Sequence, residues 1–282
     1  MKTRIITGAV FVAVLIPVFI FSNTYLFNAV IALVSLTAAY EMLACFGLAQ
    51  KWEISLPTYV ITMIFPILAR LLAQGQISLK WLILIGLMYT MFLLSAMVFT
   101  KGEITMENIA LIFLATAYIT VAFSSIVLIH DLPEYGEYMY LLIFIGAFIT
   151  DTFAYFTGRF FGKHKLIEEI SPNKTVEGSI GGIIFCSLAF VVYGIILVNW
   201  FGVTGYNLFA LAIAGVVVSI VAQMGDLVCS AIKRNFGKKD FGSLFPGHGG
   251  VLDRFDSIMA IAPFLLLLYM IIDGTQSFAM FG

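Results

Sequence analysis

The sequence predicts an all-α, polytopic integral membrane protein of about nine transmembrane helices, with its N-terminus in the cytoplasm. Three observations carry this reading. First, 61% of the 282 residues are hydrophobic, 11% are charged and the mean hydropathy is +1.05. Soluble domains carry about a quarter charged residues, so a soluble chain this apolar could not cover its own surface. Second, apolar runs recur at roughly the 20-residue length that a helix needs to cross a bilayer. Third, the cations are segregated between the connectors.

Taken in order, the candidate spans cover about 5–22, 25–49, 56–73, 79–99, 106–129, 138–161, 178–199, 206–232 and 256–273. The first follows Met1-Lys-Thr-Arg4 and resembles a signal peptide at first sight. It exceeds a usual signal h-region and no A-x-A-like site follows, so it is read as a membrane helix. Most connectors are short. Two are long and polar, 162–177 and 233–253.

With the N-terminus inside and strict alternation, Lys2, Arg4, Lys51, Lys101, Arg159, Lys163, Lys165, Lys174, Lys233, Arg234, Lys238, Lys239 and Arg254 fall at the inner side. Only Arg70 and Lys80 of the 15 cations fall outside. This positive-inside bias supports an odd number of spans and puts both long polar loops in the cytoplasm. The net charge of −1 offers no global field for a nucleic acid. Cys45, Cys186 and Cys229 lie far apart in apolar runs and read as small core residues. The first five spans are plain, and polar features crowd into 146–256. The chain is therefore divided softly into a scaffold region, 1–135, and a working region, 136–282, of one membrane domain. The apolar surface of the scaffold leaves room for a homodimer.

Chemistry concentrates where charge meets lipid. Asp226 lies in span eight, roughly 10 Å below its inner end at about 1.5 Å per residue. An unpaired charge at that depth costs several kcal/mol, which points to a polar cavity or a partner. Asp226, Ser230 and Lys233 share a helix face. Asp151, Tyr155 and Gly158 share a face of span six, with Arg159 beside it, so Asp151 either lines the same cavity or pairs with Arg159. Glu41 lies toward the inner end of span two, where it can snorkel or bind a neighbouring helix. Arg70 lies near an outer boundary, where snorkelling explains it.

Ser171-Pro-Asn-Lys-Thr175 opens a helix and offers a Lys, two hydroxyls and free backbone N–H groups, the features an anion seeks. It lacks the order of a Walker A loop. Ser230–Asp256 is denser, with five cations, three carboxylates, one His and five glycines. Asp253 and Asp256 stand at i, i+3 near the start of the last span and can face one point. Helix-start carboxylates are also favoured by the macrodipole. With Asp226 at the same boundary, an oxygen-only donor set suits Mg²⁺ rather than Zn²⁺. Pro246-Gly-His-Gly-Gly250 lets the backbone approach a ligand and could form an anion nest, with His248 as a phosphate donor or a loop anchor.

Ser230-x-x-Lys-Arg234, Lys239-Asp-Phe-Gly242 and Pro246-Gly-His-Gly-Gly-x-Leu-Asp-Arg-x-Asp256 resemble the signature of the phosphatidate cytidylyltransferases, also called CDP-diacylglycerol synthases, of bacterial type. Asp151-x-x-Ala-Tyr155, Phe161-Gly-Lys-His-Lys-Leu166, Ser171-Pro-x-Lys-Thr-x-Glu-Gly178 and Gln223-x-Gly-Asp226 are typical of the same family. The motifs cover about 146–257; the first 130 residues match only in hydropathy and length.

The resemblance implies a multi-pass enzyme of the cell membrane, with its site facing the cytoplasm. It would join CTP and phosphatidate into CDP-diacylglycerol and pyrophosphate. It implies Asp226 and Asp253 as ligands of a divalent metal, with Asp256 as a further ligand or a group that supports the ligands from behind, and room for a second cation. It implies Lys174, Ser171, Thr175, Lys233 and Arg234 around the triphosphate and the lipid phosphate. Lys239, His248 and Arg254 are implied as further phosphate contacts, and Asp151 and Tyr155 as cavity lining. The competing class is an ion or solute transporter, which intramembrane Asp residues also suit.

Overall fold

The computed structural model describes residues 13, 16–133, 135–201, 203, 207–245, 247 and 249–273. Most of the expected first span, 5–22, lies outside the described residues. The other eight expected spans are all present as helices long and apolar enough to cross a membrane. They are α1 (Tyr25–Cys45), α2 (Trp52–Ala73), α3 (Leu79–Phe99), α4 (Met106–His130), α5 (Gly136–Phe161), α6 (Val176–Phe201), α7 (Leu208–Asn235) and α8 (Leu252–Asp273). The protein is an all-α, multi-pass membrane protein. Between α5 and α6 lies one feature that apolar patterning does not signal. It is a two-stranded antiparallel ribbon, β1 (Lys165–Ile167) and β2 (Ser171–Thr175), in register Lys165↔Thr175 and Ile167↔Ser171.

Two compact units are present, and the chain passes between them more than once. One holds 1–131 and 235–255, the other 132–234 and 256–282. In the first unit, α2 packs against α1 and α4. Lipid has no hydrogen bonds to offer, so each polar group must find a partner within the protein. Pro66 removes the N–H that would reach the Thr62 carbonyl, and Ser35 of α1 donates to that carbonyl at 2.7 Å instead. The Tyr89 hydroxyl lies 2.7 Å from Thr58 Oγ1 and 2.9 Å from Thr116 Oγ1, tying α3 to α2 and α4. Thr105 and Asn108 form a capping box at the start of α4. The rest of α3 presents Leu79, Trp81, Ile83, Leu84, Leu87, Met88, Met91 and Phe92 outward, as a lipid-facing helix should.

The second unit is built on α5 against α6. Glycines set this contact. A methyl at Gly178 would stand 2.6 Å from the Ala154 carbonyl oxygen, and one at Gly158 would stand 2.8 Å from Thr175 Oγ1. Small residues let membrane helices approach this closely. Helix α7 meets α6 at Gly215, against the Ser187 backbone, and α8 at Gly225, against the Asp256 carbonyl and Ala260. Buried Thr150 donates to Ser219 at 3.0 Å, and Gln223 reaches the Ser179 carbonyl at 3.3 Å. All three cysteines are buried, as expected of small core residues.

Candidate active site

The ribbon is held as a rigid cap over the junction of α5 and α6. Glu177, in the first turn of α6, accepts from the backbone N–H groups of Lys163 and His164 at 3.0 and 3.2 Å. Its other oxygen lies 2.7 Å from His164 Nδ1. Thr175 accepts from the Gly178 N–H at 3.1 Å and so caps α6. The expected helix-opening segment is therefore a strand that turns directly into the helix.

Below the ribbon lies a cavity of about 460 Å³ lined by residues of α5, β2, α6 and α7. Asp151, Tyr155, Lys174, Thr175 and Asp226 all line it, so residues 75 positions apart in the chain meet there. At its centre the Lys174 ammonium lies 2.6 Å from Asp226 Oδ2, with both side chains about a quarter exposed. Ser230 donates to Asp226 Oδ1 at 3.3 Å, consistent with the shared face read from the sequence. Arg159 also lines the cavity and donates to the Tyr155 hydroxyl at 2.8 Å. The Asp151–Arg159 pair is absent from the ion pairs of the described residues. Asp151 Oδ2 instead accepts from Ser257 Oγ at 3.5 Å.

Other expected site residues lie around this cavity without lining it. Ser171 pairs with Ile167 at the far end of the ribbon. Arg234 donates to the Ile170 carbonyl at 3.4 Å, bracing the ribbon turn from α7. Asp256 accepts from the Ser257 N–H at 2.8 Å, and the charges of Asp226, Asp151 and Lys233 all act on it. Lys233 is buried at the end of α7.

Among the described residues no three acidic, His or Cys side chains converge closely enough to form a cage. The donor chemistry of Asp226 and Asp256 nevertheless fits Mg²⁺. That ion is usually held by one or two carboxylates plus substrate phosphates, with water completing the shell. The ammonium of Lys174 already marks the Asp226 carboxylate as a place that holds positive charge.

In the first unit, Lys239 lies in the connector between α7 and α8, and Asp253 and Arg254 lie in the first turn of α8. Asp253 is buried, and its Oδ2 accepts from the Phe241 and Gly250 N–H groups, each at 2.9 Å. That oxygen holds the loop. His248 and Pro246 lie outside the described residues. Gly247 and Gly249 adopt φ of 78° and 81°, which side chains rarely tolerate. Phe245 N–H donates to the Gly249 carbonyl at 2.9 Å, closing the turn.

The expected anion nest is partly filled by the protein itself. Gly250 N–H is taken by Asp253. Val251 and Leu252 N–H groups donate to Glu41 Oε1 and Oε2 at 2.9 and 2.8 Å. Of the two parts read for Glu41, snorkelling or binding a neighbouring helix, it takes the second: it is buried, and its partners at the start of α8 lie some 210 positions away.

A profile of the cytidylyltransferase family matches residues 2–272. A Staphylococcus haemolyticus protein named phosphatidate cytidylyltransferase is 34% identical over 274 residues, covering 95% of this chain and 98% of its own. Proteins of the same name from Staphylococcus saprophyticus and Bacillus subtilis are 42% and 38% identical, over 62% and 65% of this chain and 65% and 66% of their own. A match across nearly the whole length, including the cavity and the glycine-rich loop, shows that the chain belongs to the cytidylyltransferase family.

Proposed function

We propose that this protein transfers CMP from CTP to phosphatidate, giving CDP-diacylglycerol and pyrophosphate, at the cytoplasmic face of the plasma membrane. The observation that carries the reading is the Lys174–Asp226 cavity at the charged end of apolar helices, in a chain of this family. An oxygen of the lipid phosphate attacks the α-phosphorus of CTP. The bond from that phosphorus to the oxygen bridging to the β-phosphorus breaks, and pyrophosphate leaves with the electron pair. A phosphomonoester is nucleophilic near neutral pH, so the protein need not supply a nucleophile.

The task left to the protein is to gather four phosphoryl groups and offset their repulsion. Lys174 would bind the triphosphate, together with the Thr175 hydroxyl and Arg159, which line the same cavity. Lys233 and Arg234 add positive charge at the end of α7. Asp226 and Asp256 would hold Mg²⁺, which when bound neutralises phosphate oxygens and stabilises the leaving pyrophosphate. Asp253, by contrast, is proposed as an anchor that ties the loop carrying Lys239 to the first turn of α8, which carries Arg254. The apolar rings that α5 exposes beside the cavity, Phe156, Phe160 and Phe161, suit a substrate whose phosphate is tethered to acyl chains. The positive-inside asymmetry supports a cytoplasmic site, where CTP is available.

The test is purified protein with labelled CTP and phosphatidate, with and without Mg²⁺. Liponucleotide should form with Mg²⁺ and stop on chelation. No liponucleotide in the presence of Mg²⁺ overturns the reading. The family match leaves the transporter alternative without support.

A further inference from the structure

The N-terminus of α8 lacks the local cap its position demands. The first turn of a helix has N–H groups with no partner in the helix, and a Ser, Thr, Asp or Asn just before it usually accepts from them. Here Gly249, Gly250 and Val251 precede Leu252, and none has a side-chain acceptor. Glu41 supplies it from α1. Its two oxygens accept one each from the Val251 and Leu252 N–H groups, at 2.9 and 2.8 Å, and Glu41 is 4% exposed. The positive end of the helix adds to the attraction.

Two glycines make room for this carboxylate. A methyl group on Gly242 or on Gly250 would collide with the Glu41 carboxylate. Both glycines belong to the signature loop, at either end of the turn closed by Phe245 and Gly249. Asp253 holds the same loop from inside, through Phe241 and Gly250. Four N–H groups of one loop are thus fixed by two buried carboxylates, one of them from a distant helix.

We infer that Glu41 is a positioning residue, which caps α8, the helix that carries Arg254, from α1 and fixes the glycine-rich loop that carries Lys239. The inference rests on the cytidylyl-transfer reading for its activity arm, but not for its structural arm. Glu41→Gln keeps the size of the side chain while losing one acceptor and the charge. It should lower kcat at least about tenfold, as loss of charge-assisted hydrogen bonds does, with KM for CTP changed much less. Trypsin cleavage at Lys238 and Lys239, both exposed, should accelerate in detergent-solubilised full-length protein while other loops keep their rates.

Gly242→Ala should act in the same direction, because it displaces the same carboxylate. The double variant should be little worse than either single one, since both remove one interaction. Normal turnover in Glu41→Gln, lost turnover with unaltered cleavage, or faster cleavage in every loop would each overturn the positioning role. If the unmodified protein makes no liponucleotide, the reaction assigned above falls, and the cleavage pattern still decides the part of Glu41.

Discussion

At the scale of single residues, Lys174 and Asp226 are the pair on which the proposed chemistry turns. A charge-assisted hydrogen bond contributes about 1.5–3 kcal/mol, equivalent to roughly ten- to a hundredfold in affinity. Lys174→Ala should therefore raise KM for CTP by about that factor, with kcat less affected. Asp226→Asn should lower kcat by about a hundredfold or more, the scale seen when a transition-state electrostatic partner is removed. Steady-state kinetics over a CTP series separates the two, and an unaltered CTP dependence in Lys174→Ala removes it from the nucleotide site.

Asp226 and Lys174 were legible in the sequence because a carboxylate at membrane depth and a lysine in a polar loop both demand partners. Arg70 was misread as snorkelling. It is 7% exposed and bonds inward, to Asp131 at 3.3 Å and to the Thr24 and Asn23 carbonyls at 3.0 and 3.2 Å. Position near a boundary does not say which way a long side chain turns. For Glu41, binding to a neighbouring helix is one of two readings; which helix it binds stays hidden, because its partners are backbone groups, and backbone leaves no mark in a sequence.

At the scale of elements, eight of the helices were legible because membrane thickness sets their length and apolarity marks them. The β1–β2 ribbon was not. Its strands are three and five residues long and mix exposed with half-buried residues without a hydrophobic stripe, so neither alternation nor hydropathy reveals them. What fixes the ribbon is its seat on α5 and α6. Thr175 sits against Gly158, Gly162 and Gly178, where no side chain would fit. Gly178→Ala places a methyl 2.6 Å from the Ala154 carbonyl oxygen, a backbone atom that moves only if the helices separate. The cost expected from such overpacking is about 1–3 kcal/mol. Thermal unfolding in detergent should show a lower midpoint for Gly178→Ala, with reduced turnover as Lys174 shifts with the ribbon. An unchanged midpoint and normal turnover would show that this contact does not set the cavity.

At the scale of the whole molecule, the organising feature is where charge lies rather than how much there is. Fifteen cations and 16 acidic residues nearly cancel, yet the cations crowd into alternate connectors. A substrate pair of one soluble nucleotide and one lipid requires such sidedness, because the two can meet only at one surface. The connector between α2 and α3 and the connector between α3 and α4 must open on opposite sides, because α3 alone separates them. Lys80 lies beside the first, and Glu103 lies in the second next to Lys101; both are exposed. The native cysteines are buried, so single introduced thiols report cleanly. Lys80→Cys should react with a membrane-impermeant maleimide in intact cells, and Glu103→Cys only after permeabilisation. The reverse pattern would invert every loop together, place Lys174 and the glycine-rich loop away from cytoplasmic CTP, and so overturn the proposed orientation of the site.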